Sequence, residues 1–109
     1  MKKILIVEDN ETSLMLLNAY LSKQGFEVHA CKSVDQASEL LSANTYDMHL
    51  VDLMLQGELA GDVLISAGIQ PAIVISALYF EQKDLETVKY VRKPYRLDEL
   101  LKTINSMIQ

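Results

Sequence analysis

The sequence predicts an α/β protein in which a five-stranded parallel sheet is covered by helices on both faces. Short apolar segments alternate five times with segments whose apolar residues recur at helical spacing, a pattern typical of parallel strands joined by right-handed crossovers. The segment Met48–Leu55 supports this prediction because it is apolar except for His49 and Asp52. Nearly continuous apolar runs are typical of strands that are buried on both faces of a parallel sheet.

The predicted strands are short runs in which apolar and β-branched residues dominate. In chain order they are Ile4–Val7, Phe26–Ala30, Met48–Leu55, Ala72–Ile75 and Val88–Val91. Because an unpaired carboxylate is costly in an apolar interior, we expect Asp52 to lie where the third strand emerges from the sheet. We expect His49 in the same run to be a packed, hydrogen-bonded histidine.

The first two predicted helices have recognisable start and stop signals. Asn10 or Asp9 can cap the first helix, and Gly25 stands where a helix-ending glycine is expected. Ser33 followed by Gln36 matches the capping box that begins many helices. The inward faces are predicted to comprise Leu14, Leu17 and Leu21 in the first helix, and Ala37, Leu40 and Leu41 in the second.

The signals after the third strand are less uniform. Residues 56–61 are turn-like and include two glycines, and a short third helix around Val63, Leu64 and Ala67 is predicted to end at Gly68. One or two helical turns are predicted around Glu81–Glu86. The last helix, Leu97–Ile108, has a clear amphipathic pattern.

Length, charge and cysteine content exclude several classes of protein. The chain has 109 residues, which fits one domain over residues 1–109, and we expect no attached output domain. The formal net charge of −5 argues against nucleic-acid binding, because phosphate contacts need a basic surface. The single cysteine, Cys31, suits a reducing compartment. No apolar run approaches the ~18 residues that a membrane span needs, so we expect a soluble cytoplasmic protein.

Polar and charged residues follow the predicted strands at their carboxyl ends. Glu8 and Asp9 follow the first strand, Asp52 lies at the end of the third, Ser76 follows the fourth and Lys93 follows the fifth. Because parallel strands bring their carboxyl ends to one edge, we expect these residues to converge. A hard divalent cation such as Mg²⁺ would neutralise the clustered carboxylates. With the lysine and the hydroxyl, such a site could bind a phosphoryl group and leave one carboxylate as the nucleophile.

These residues resemble the receiver domain of two-component response regulators. The resemblance covers the whole chain and rests on four motifs in a fixed order, which together are far more specific than any one of them. The motifs are Ile4-Leu-Ile-Val-Glu-Asp-Asn10, Val51-Asp-Leu-Met54, Ile75-Ser-Ala77 and Lys93-Pro-Tyr95. The resemblance implies a doubly wound, flavodoxin-like fold with the strand order 2-1-3-4-5.

The resemblance also implies a phosphorylation site. Asp52 would take a phosphoryl group from a sensor histidine kinase or a histidine phosphotransfer protein, and a downstream protein would respond to the change. Glu8, Asp9, Asp52 and the backbone carbonyl of Met54 would bind Mg²⁺ or Mn²⁺. A homodimer that forms on phosphorylation is a further possible partner, which no residue of the sequence specifies.

Further residues are implied to take part in the switch. Lys93 would contact the phosphoryl oxygens, and Ser76 would move to hydrogen-bond them. Tyr90 matches the family's switch aromatic, and the Lys93–Pro94 bond would be cis. The residues alone leave simpler roles open, because Ser76 could be a helix-capping serine and Tyr90 a half-buried strand aromatic.

The sequence departs from the common family pattern after Asp52. Gln56 and Ala60-Gly61 stand where many members carry a proline and an Asp-Gly pair. Asp52 and Ser76 are 24 positions apart, and Ser76 and Lys93 are 17 apart, both shorter than usual. We therefore expect shortened helices 3 and 4, which are the helix around Val63–Ala67 and the helical turns around Glu81–Glu86. This puts the surface that reports phosphorylation in question, but not the phosphorylation chemistry.

A chain of this kind has four candidate functions. The favoured one is a phosphoacceptor that acts by protein contact, with self-catalysed phosphoryl transfer only and no true enzyme activity. The alternative is a degenerate receiver that serves as a constitutive interaction or dimerisation module. An aspartyl phosphatase would need a second acid two residues after the nucleophile, where Met54 stands. A flavin carrier is disfavoured because Asp9 and Glu11 would repel the flavin phosphate.

Overall fold

The computed structural model describes residues 1–55, 59–77 and 86–108, and it confirms the predicted α/β class. The strands are β1 (Lys3–Val7), β2 (Glu27–Cys31), β3 (Met48–Asp52), β4 (Ala72–Ser76) and β5 (Val88–Arg92). The helices are α1 (Glu11–Lys23), α2 (Val34–Ala43), α3 (Ala60–Ser66) and α4 (Leu97–Met107). Residues 81–85 of the predicted helix around Glu81–Glu86 lie outside the described residues.

All the strand pairs are parallel, and the sheet has the predicted order β2-β1-β3-β4-β5. Among the described residues, two helices cover each face. Leu17 of α1 and Ile104 of α4 pack on one face, and Ala37 of α2 and Leu64 of α3 pack on the other. Every residue of β3 and β4 is buried, and burial of each large apolar side chain contributes roughly 1.5–3 kcal/mol. The sheet is thus held from both sides.

Helix α1 begins and ends at residues that its sequence signals predicted. The side chain of Asn10 accepts a hydrogen bond from the amide of Ser13 at 2.9 Å, so Asn10 rather than Asp9 is the cap. Gly25 has a φ of +98°, which a residue with a side chain adopts only under strain. The amides of Gly25 and Phe26 both bond back to carbonyls of the last turn, the arrangement that closes many helices.

Helix α2 begins with a variant of the predicted capping box. Ser33 Oγ accepts a hydrogen bond from the amide of Gln36 at 3.1 Å. The side chain of Gln36 reaches back to the amide of Lys32 at 2.8 Å, one residue before the cap. Two backbone donors at the start of the helix are therefore satisfied by side chains.

The third strand is shorter than the sequence predicted. β3 ends at Asp52, and not at Leu55. The side chain of Asp52 accepts a hydrogen bond from the amide of Met54 at 3.2 Å. The amide of Leu53 still donates to the carbonyl of Ile75 on β4 at 2.8 Å, and the bond to the amide of Met54 then stabilises a local turn, as short polar side chains often do. Leu53 and Leu55 remain buried after the turn, which explains their apolar character.

Helix α3 starts earlier than predicted. Ala60 and Gly61 were assigned to a turn, but the helix includes both residues. Its cap, Leu59, makes no side-chain hydrogen bond, so the sequence contains no start signal at this point. The helix has only 7 residues, as expected for a shortened segment. Among the described residues, no helix is long and apolar enough to cross a membrane.

Candidate functional site

Three carboxylates converge at the carboxyl edge of the sheet. Glu8 and Asp9 follow β1, and Asp52 ends the adjacent strand β3, in which Val51 pairs with Val7. Each of the three acids offers an oxygen, and these oxygens lie within 4.8 Å of one another. Glu8 and Asp52 are only 3% and 7% exposed, whereas Asp9 is exposed. Two buried negative charges therefore lie side by side, with a third at the surface.

Lys93 compensates the two buried carboxylates. It follows β5 and reaches across the end of β4, so that its Nζ lies 2.9 Å from Asp52 Oδ2 and 3.3 Å from Glu8 Oε2. Burial alone would lower the pKa of Lys93, but the hydrogen bond and charge of Asp52, together with Glu8, raise that pKa above its usual value. The amine is consequently a firmly charged partner for both acids.

Glu8 is fixed by two donors. Its Oε1 accepts a hydrogen bond from the amide of Asn10 at 2.9 Å, and its Oε2 faces Lys93. The pKa of Glu8 is nevertheless raised, first because the carboxyl is buried and then because Asp52 lies close to it. The bond from Asn10 is a site contact that the sequence did not indicate, since it depends on the path of the backbone after β1.

Asp52 is oriented in a similar way. Its Oδ1 accepts a hydrogen bond from the amide of Met54, and its Oδ2 faces Lys93. Charge-assisted bonds of this kind are shorter and stronger than bonds between neutral groups. The carboxylate therefore has a defined orientation at the end of β3.

Ser76 and Tyr90 are placed differently from each other. Ser76 is the buried last residue of β4, and its backbone carbonyl accepts a hydrogen bond from the amide of Lys93 at 2.7 Å. Tyr90 lies within β5, pairs with Val74 and is half-buried against the α2–α3 face of the sheet. The Lys93–Pro94 bond is cis, as predicted. Ser76 thus belongs to the edge itself, and Tyr90 lies further along the strand.

The donor set fits a hard divalent cation. Three carboxylates supply only oxygen atoms, and oxygen ligands are what Mg²⁺ and Mn²⁺ prefer. Met54, whose carbonyl completes the predicted ligand set, follows Asp52 by two residues and is half-buried. The described residues at this edge are therefore compatible with a magnesium or manganese site.

An apolar groove adjoins the site, and the sequence did not single it out. It has a volume of about 550 Å³, and its lining includes Leu16 of α1 together with Ala77, Lys93 and Tyr95. Leu16 and its neighbour Met15 are 58% and 66% exposed. A signal was present, because both residues are apolar yet lie off the inward-facing positions of α1. This exposed patch lies directly beside Lys93.

A parallel sheet of this order, with an acidic pair, a buried aspartate and a lysine at its carboxyl edge, defines a receiver-type domain. The family described as "Response regulator receiver domain" matches residues 4–105. The chain therefore belongs to the response regulator receiver domain family, whose members take part in two-component signalling with histidine kinases or phosphotransfer proteins.

Several curated proteins are similar in sequence. Regulatory protein VanRB of Enterococcus faecalis is 29% identical over 115 aligned positions, which cover 98% of this chain and 52% of VanRB. Transcriptional regulatory protein SrrA of Staphylococcus aureus is also 29% identical, over 98% of this chain and 48% of SrrA. The chain thus spans about half the length of these relatives.

Solved structures show the same fold. The receiver domain of Francisella response regulator 1452 aligns with a TM-score of 0.84 at 23% identity, covering 99% of this chain and 97% of that one. The response regulator TrrA of Thermotoga maritima, solved in complex with Mg²⁺-BeF, aligns with a TM-score of 0.80 at 24% identity, covering 98% and 99%. Both comparisons concern the fold as a whole.

Proposed function

We propose that Asp52 accepts a phosphoryl group from a phosphohistidine of a sensor kinase or phosphotransfer protein, and that the phosphorylated chain changes its contacts with a downstream protein. The observation that supports this most directly is the position of Lys93 Nζ, 2.9 Å from Asp52 within a cluster of three carboxylates. The chain would act as a signalling protein that catalyses only its own phosphorylation and dephosphorylation.

The geometry suits an attack by the carboxylate of Asp52. An oxygen of Asp52 would bond to phosphorus while the phosphorus–nitrogen bond of the phosphohistidine breaks and its electron pair stays on the imidazole. The amide of Met54 holds Oδ1 in place. Lys93 would exchange its contact with Oδ2 for a phosphoryl oxygen while it stays paired with Glu8. Phosphoryl transfer depends mainly on such positioning and charge neutralisation.

Glu8, Asp9, Asp52 and the carbonyl of Met54 would hold Mg²⁺ or Mn²⁺. When bound, such an ion supplies positive charge that neutralises the carboxylates and the phosphoryl oxygens. Both oxygens of Glu8 already have hydrogen-bond partners. We therefore expect its main role to be to balance the positive charges of Lys93 and of the metal ion. The exposed carboxylate of Asp9 is the most accessible of the three.

Ser76 and Tyr90 are the proposed switch residues. The backbone carbonyl of Ser76 accepts a hydrogen bond from the amide of Lys93. A movement of Ser76 toward a phosphoryl oxygen would therefore occur beside the lysine that contacts the phosphoryl group. Side chains alternate between the two faces of the sheet along β4 and β5, so Ser76 lies on the opposite face from Ile75, and Tyr90 on the opposite face from Val91. Ser76 and Tyr90 therefore both lie on the α2–α3 face. A rearrangement of Ser76 would therefore change the packing space near Tyr90.

Phosphorylation can be tested without the natural donor. Incubation with acetyl phosphate and Mg²⁺ is expected to add the mass of one phosphoryl group, and Asp52→Asn is expected to abolish the addition. Asp35→Asn, at an exposed position of α2, is the matched control and should be modified like the wild type. An unchanged mass for the wild type would refute the proposal, and so would equal modification of Asp52→Asn.

A protein donor would need a surface beside the site, and the exposed Leu16, which lines the apolar groove together with Lys93, offers one. Transfer from a phosphorylated histidine phosphotransfer protein should therefore be slowed by Leu16→Asp, because a charge would be placed in an apolar contact. Acetyl phosphate needs no such surface, so its reaction rate should not change. Equal transfer rates to the wild type and to Leu16→Asp would show that the protein donor does not bind at this surface.

A constitutive interaction module is the second candidate, and the 7-residue helix α3 is the observation that favours it. A shortened helix could leave the phosphorylation signal without a reporting surface. This function predicts the same bound partners with and without beryllofluoride, a phosphoryl mimic, in a pull-down experiment. A change in the bound partners on addition of beryllofluoride would exclude it.

A further inference from the structure

A second groove lies between α2 and α3, toward the amino ends of the strands. We call it the α2–α3 groove, and it has a volume of about 530 Å³, within the range of small-molecule sites. Its apolar lining comes from Leu41, Leu64 and Ile69, and its polar lining includes His49 and Gln70. None of these residues has a role in the proposed phosphorylation site.

His49 is the unusual member of this lining. It is only 5% exposed, yet it is a titratable residue near the start of β3, where Met48 and Leu50 on either side are apolar. Its Nδ1 lies 2.8 Å from the carbonyl oxygen of Pro71. A carbonyl oxygen can only accept a hydrogen bond, so Nδ1 must carry the proton. The other nitrogen of the neutral ring, Nε2, therefore has a free lone pair.

Nε2 of His49 has no hydrogen-bond partner among the described residues. The described part of the chain contains no side-chain nitrogen or oxygen that is both sealed from solvent and unbonded. Nε2 is consequently reached from outside, and the groove that His49 lines is the route. Burial lowers the pKa of His49, which keeps the ring neutral and the lone pair available near pH 7.

The neighbours of His49 do not use this lone pair. The ring of Tyr46 stands edge-on against His49, with ring centroids 5.9 Å apart. The hydroxyl of Tyr46 is bonded instead to His29 Nδ1 at 2.7 Å. The groove therefore presents a hydrogen-bond acceptor in a mixed lining that combines Leu41, Leu64 and Ile69 with polar residues such as Asn44 and Thr45. In the free protein water can reach this acceptor, so a ligand gains when it supplies the donor and its apolar body also displaces water from the aliphatic side chains of the groove.

We propose that the α2–α3 groove binds a small, neutral, mainly apolar ligand whose hydroxyl or N–H group donates a hydrogen bond to His49 Nε2. The aliphatic side chains of Leu41, Leu64 and Ile69 would contact the apolar body of the ligand. Polar groups at the rim, such as the side chain of Gln70, would remain hydrated. This site is separate from the phosphorylation site, because His49 and Asp52 lie at opposite ends of β3.

Phenol and anisole test this proposal as a matched pair of probes. They share one aromatic ring, but anisole carries a methyl group in place of the hydroxyl hydrogen and cannot donate. Titration of the ¹³C-labelled protein with phenol should shift the His49 ring signals and the methyl signals of Leu41, Leu64 and Ile69 in a saturable way. Anisole should bind about five- to tenfold more weakly, the effect of one lost hydrogen bond.

Two variants test whether the groove is the site. Ala67→Trp places a large side chain in the groove from an exposed position at the end of α3, and it should abolish the phenol shifts. Ser66→Trp, at an exposed neighbouring position outside the lining, should bind phenol like the wild type. Equal binding of phenol and anisole, unchanged binding by Ala67→Trp, or the absence of saturable shifts would each overturn the proposal.

Discussion

The two edges of the sheet bury polar groups in different ways. At the carboxyl edge, Glu8 and Asp52 stay near a cation, because Lys93 bonds to both of them. At the amino edge, His49 is buried and bonds to a backbone carbonyl, and it has no ionic partner in the part of the chain that the structure describes. The carboxyl edge balances charge against charge, whereas the buried ring of His49 at the amino edge stays uncharged. The same apolar interior therefore accommodates an anionic site and a neutral one.

The pKa values follow this difference. At the carboxyl edge the ion pairs raise the pKa of Lys93 although burial acts against it. At the amino edge burial dominates, so the pKa of His49 is lowered and the pKa of Tyr46 is raised. Both shifts at the amino edge favour the uncharged form. A group that keeps its charge in the interior needs a partner, and a group that gives it up needs only a hydrogen bond.

The largest expected effect is on the stability of a Lys93→Met variant, which leaves two buried carboxylates without their cation. We expect the free energy of unfolding to fall by about 2–4 kcal/mol at pH 8. The loss should be smaller at pH 5. The pKa of Glu8 is already raised above its unfolded value, so stability from protonating Glu8 is present at low pH and disappears as the pH rises through that folded pKa.

Urea denaturation in the presence of EDTA measures this effect in the absence of divalent cations. Lys102→Met, at an exposed position of α4, is the control and should change stability by less than about 0.5 kcal/mol. If Lys93→Met were as stable as the control at pH 8, the two carboxylates would not depend on the lysine, and the contrast between the edges would be wrong.

A smaller effect is expected at the amino edge from His49→Phe. This substitution keeps a ring but removes one of the two hydrogen bonds that the carbonyl of Pro71 accepts, since the backbone amide of His49 still donates to it at 3.1 Å. The loss should cost about 0.5–1.5 kcal/mol at pH 7. The lowered pKa of His49 means that the unfolded chain binds a proton first as the pH falls below about 6.5. The wild type should therefore lose stability there, and the difference from His49→Phe should shrink.

Urea denaturation of both proteins between pH 5 and pH 8 gives this difference directly, because the other titrating groups are common to both. A difference that stays constant, or that grows as the pH falls, would mean that His49 is not held neutral by the fold.

The third prediction concerns Met54, whose half-buried side chain lies beside the charged edge. On the proposed phosphorylation of Asp52, this apolar side chain hinders the approach of water to the phosphoryl group. Met54→Asn should therefore increase the hydrolysis rate, by up to about tenfold, because a polar side chain can orient the attacking water. Loss of the phosphoryl group after removal of acetyl phosphate measures the rate.

Val63→Asn, at a position that is 57% exposed on α3, is a matched apolar-to-amide control for Met54→Asn and should hydrolyse like the wild type. Slower or equal hydrolysis by Met54→Asn would show that the apolar side chain does not protect the phosphoryl group.

The smallest effect is expected from Asn10→Ala, which removes the side-chain cap of α1. The expected loss of stability is about 0.5–1 kcal/mol. The bond from the amide of Asn10 to Glu8 does not involve the side chain, so phosphorylation by acetyl phosphate should be retained. Thermal unfolding measures the stability, and Asn10→Ser should restore most of it because serine is also a good cap. A loss of phosphorylation in Asn10→Ala would contradict this prediction, because it would show that the phosphorylation site depends on the side-chain cap of α1.

The strands and the meeting of Glu8, Asp52 and Lys93 could be predicted because they depend on local pattern and on the geometry of parallel sheets. An apolar run followed by a charged residue fixes both a strand and the edge to which that residue is delivered. Local pattern also predicted a cap at Asn10 or Asp9, of which the structure selects Asn10, and the glycine that ends α1. These features need no knowledge of which distant atoms meet.

The remaining features depend on such distant contacts. The carbonyl of Pro71 that accepts from His49 is 22 residues away in the chain, and nothing in either segment indicates the bond. The early start of α3 was missed because Leu59 provides no side-chain cap. The groove beside Leu41 and Leu64 is formed by two helices whose spacing is set by the whole core, so it cannot be read from either helix.

The continuous burial of β3 has a practical consequence for protein engineering. The strand is short and fixed by neighbours on both sides, and the three residue steps from His49 to Asp52 span roughly 10 Å. One end can be redesigned for recognition of an added compound while the chemistry of the other end is left intact. A strand of this kind offers a rigid connection for building sensors in which an external chemical controls a signalling aspartate.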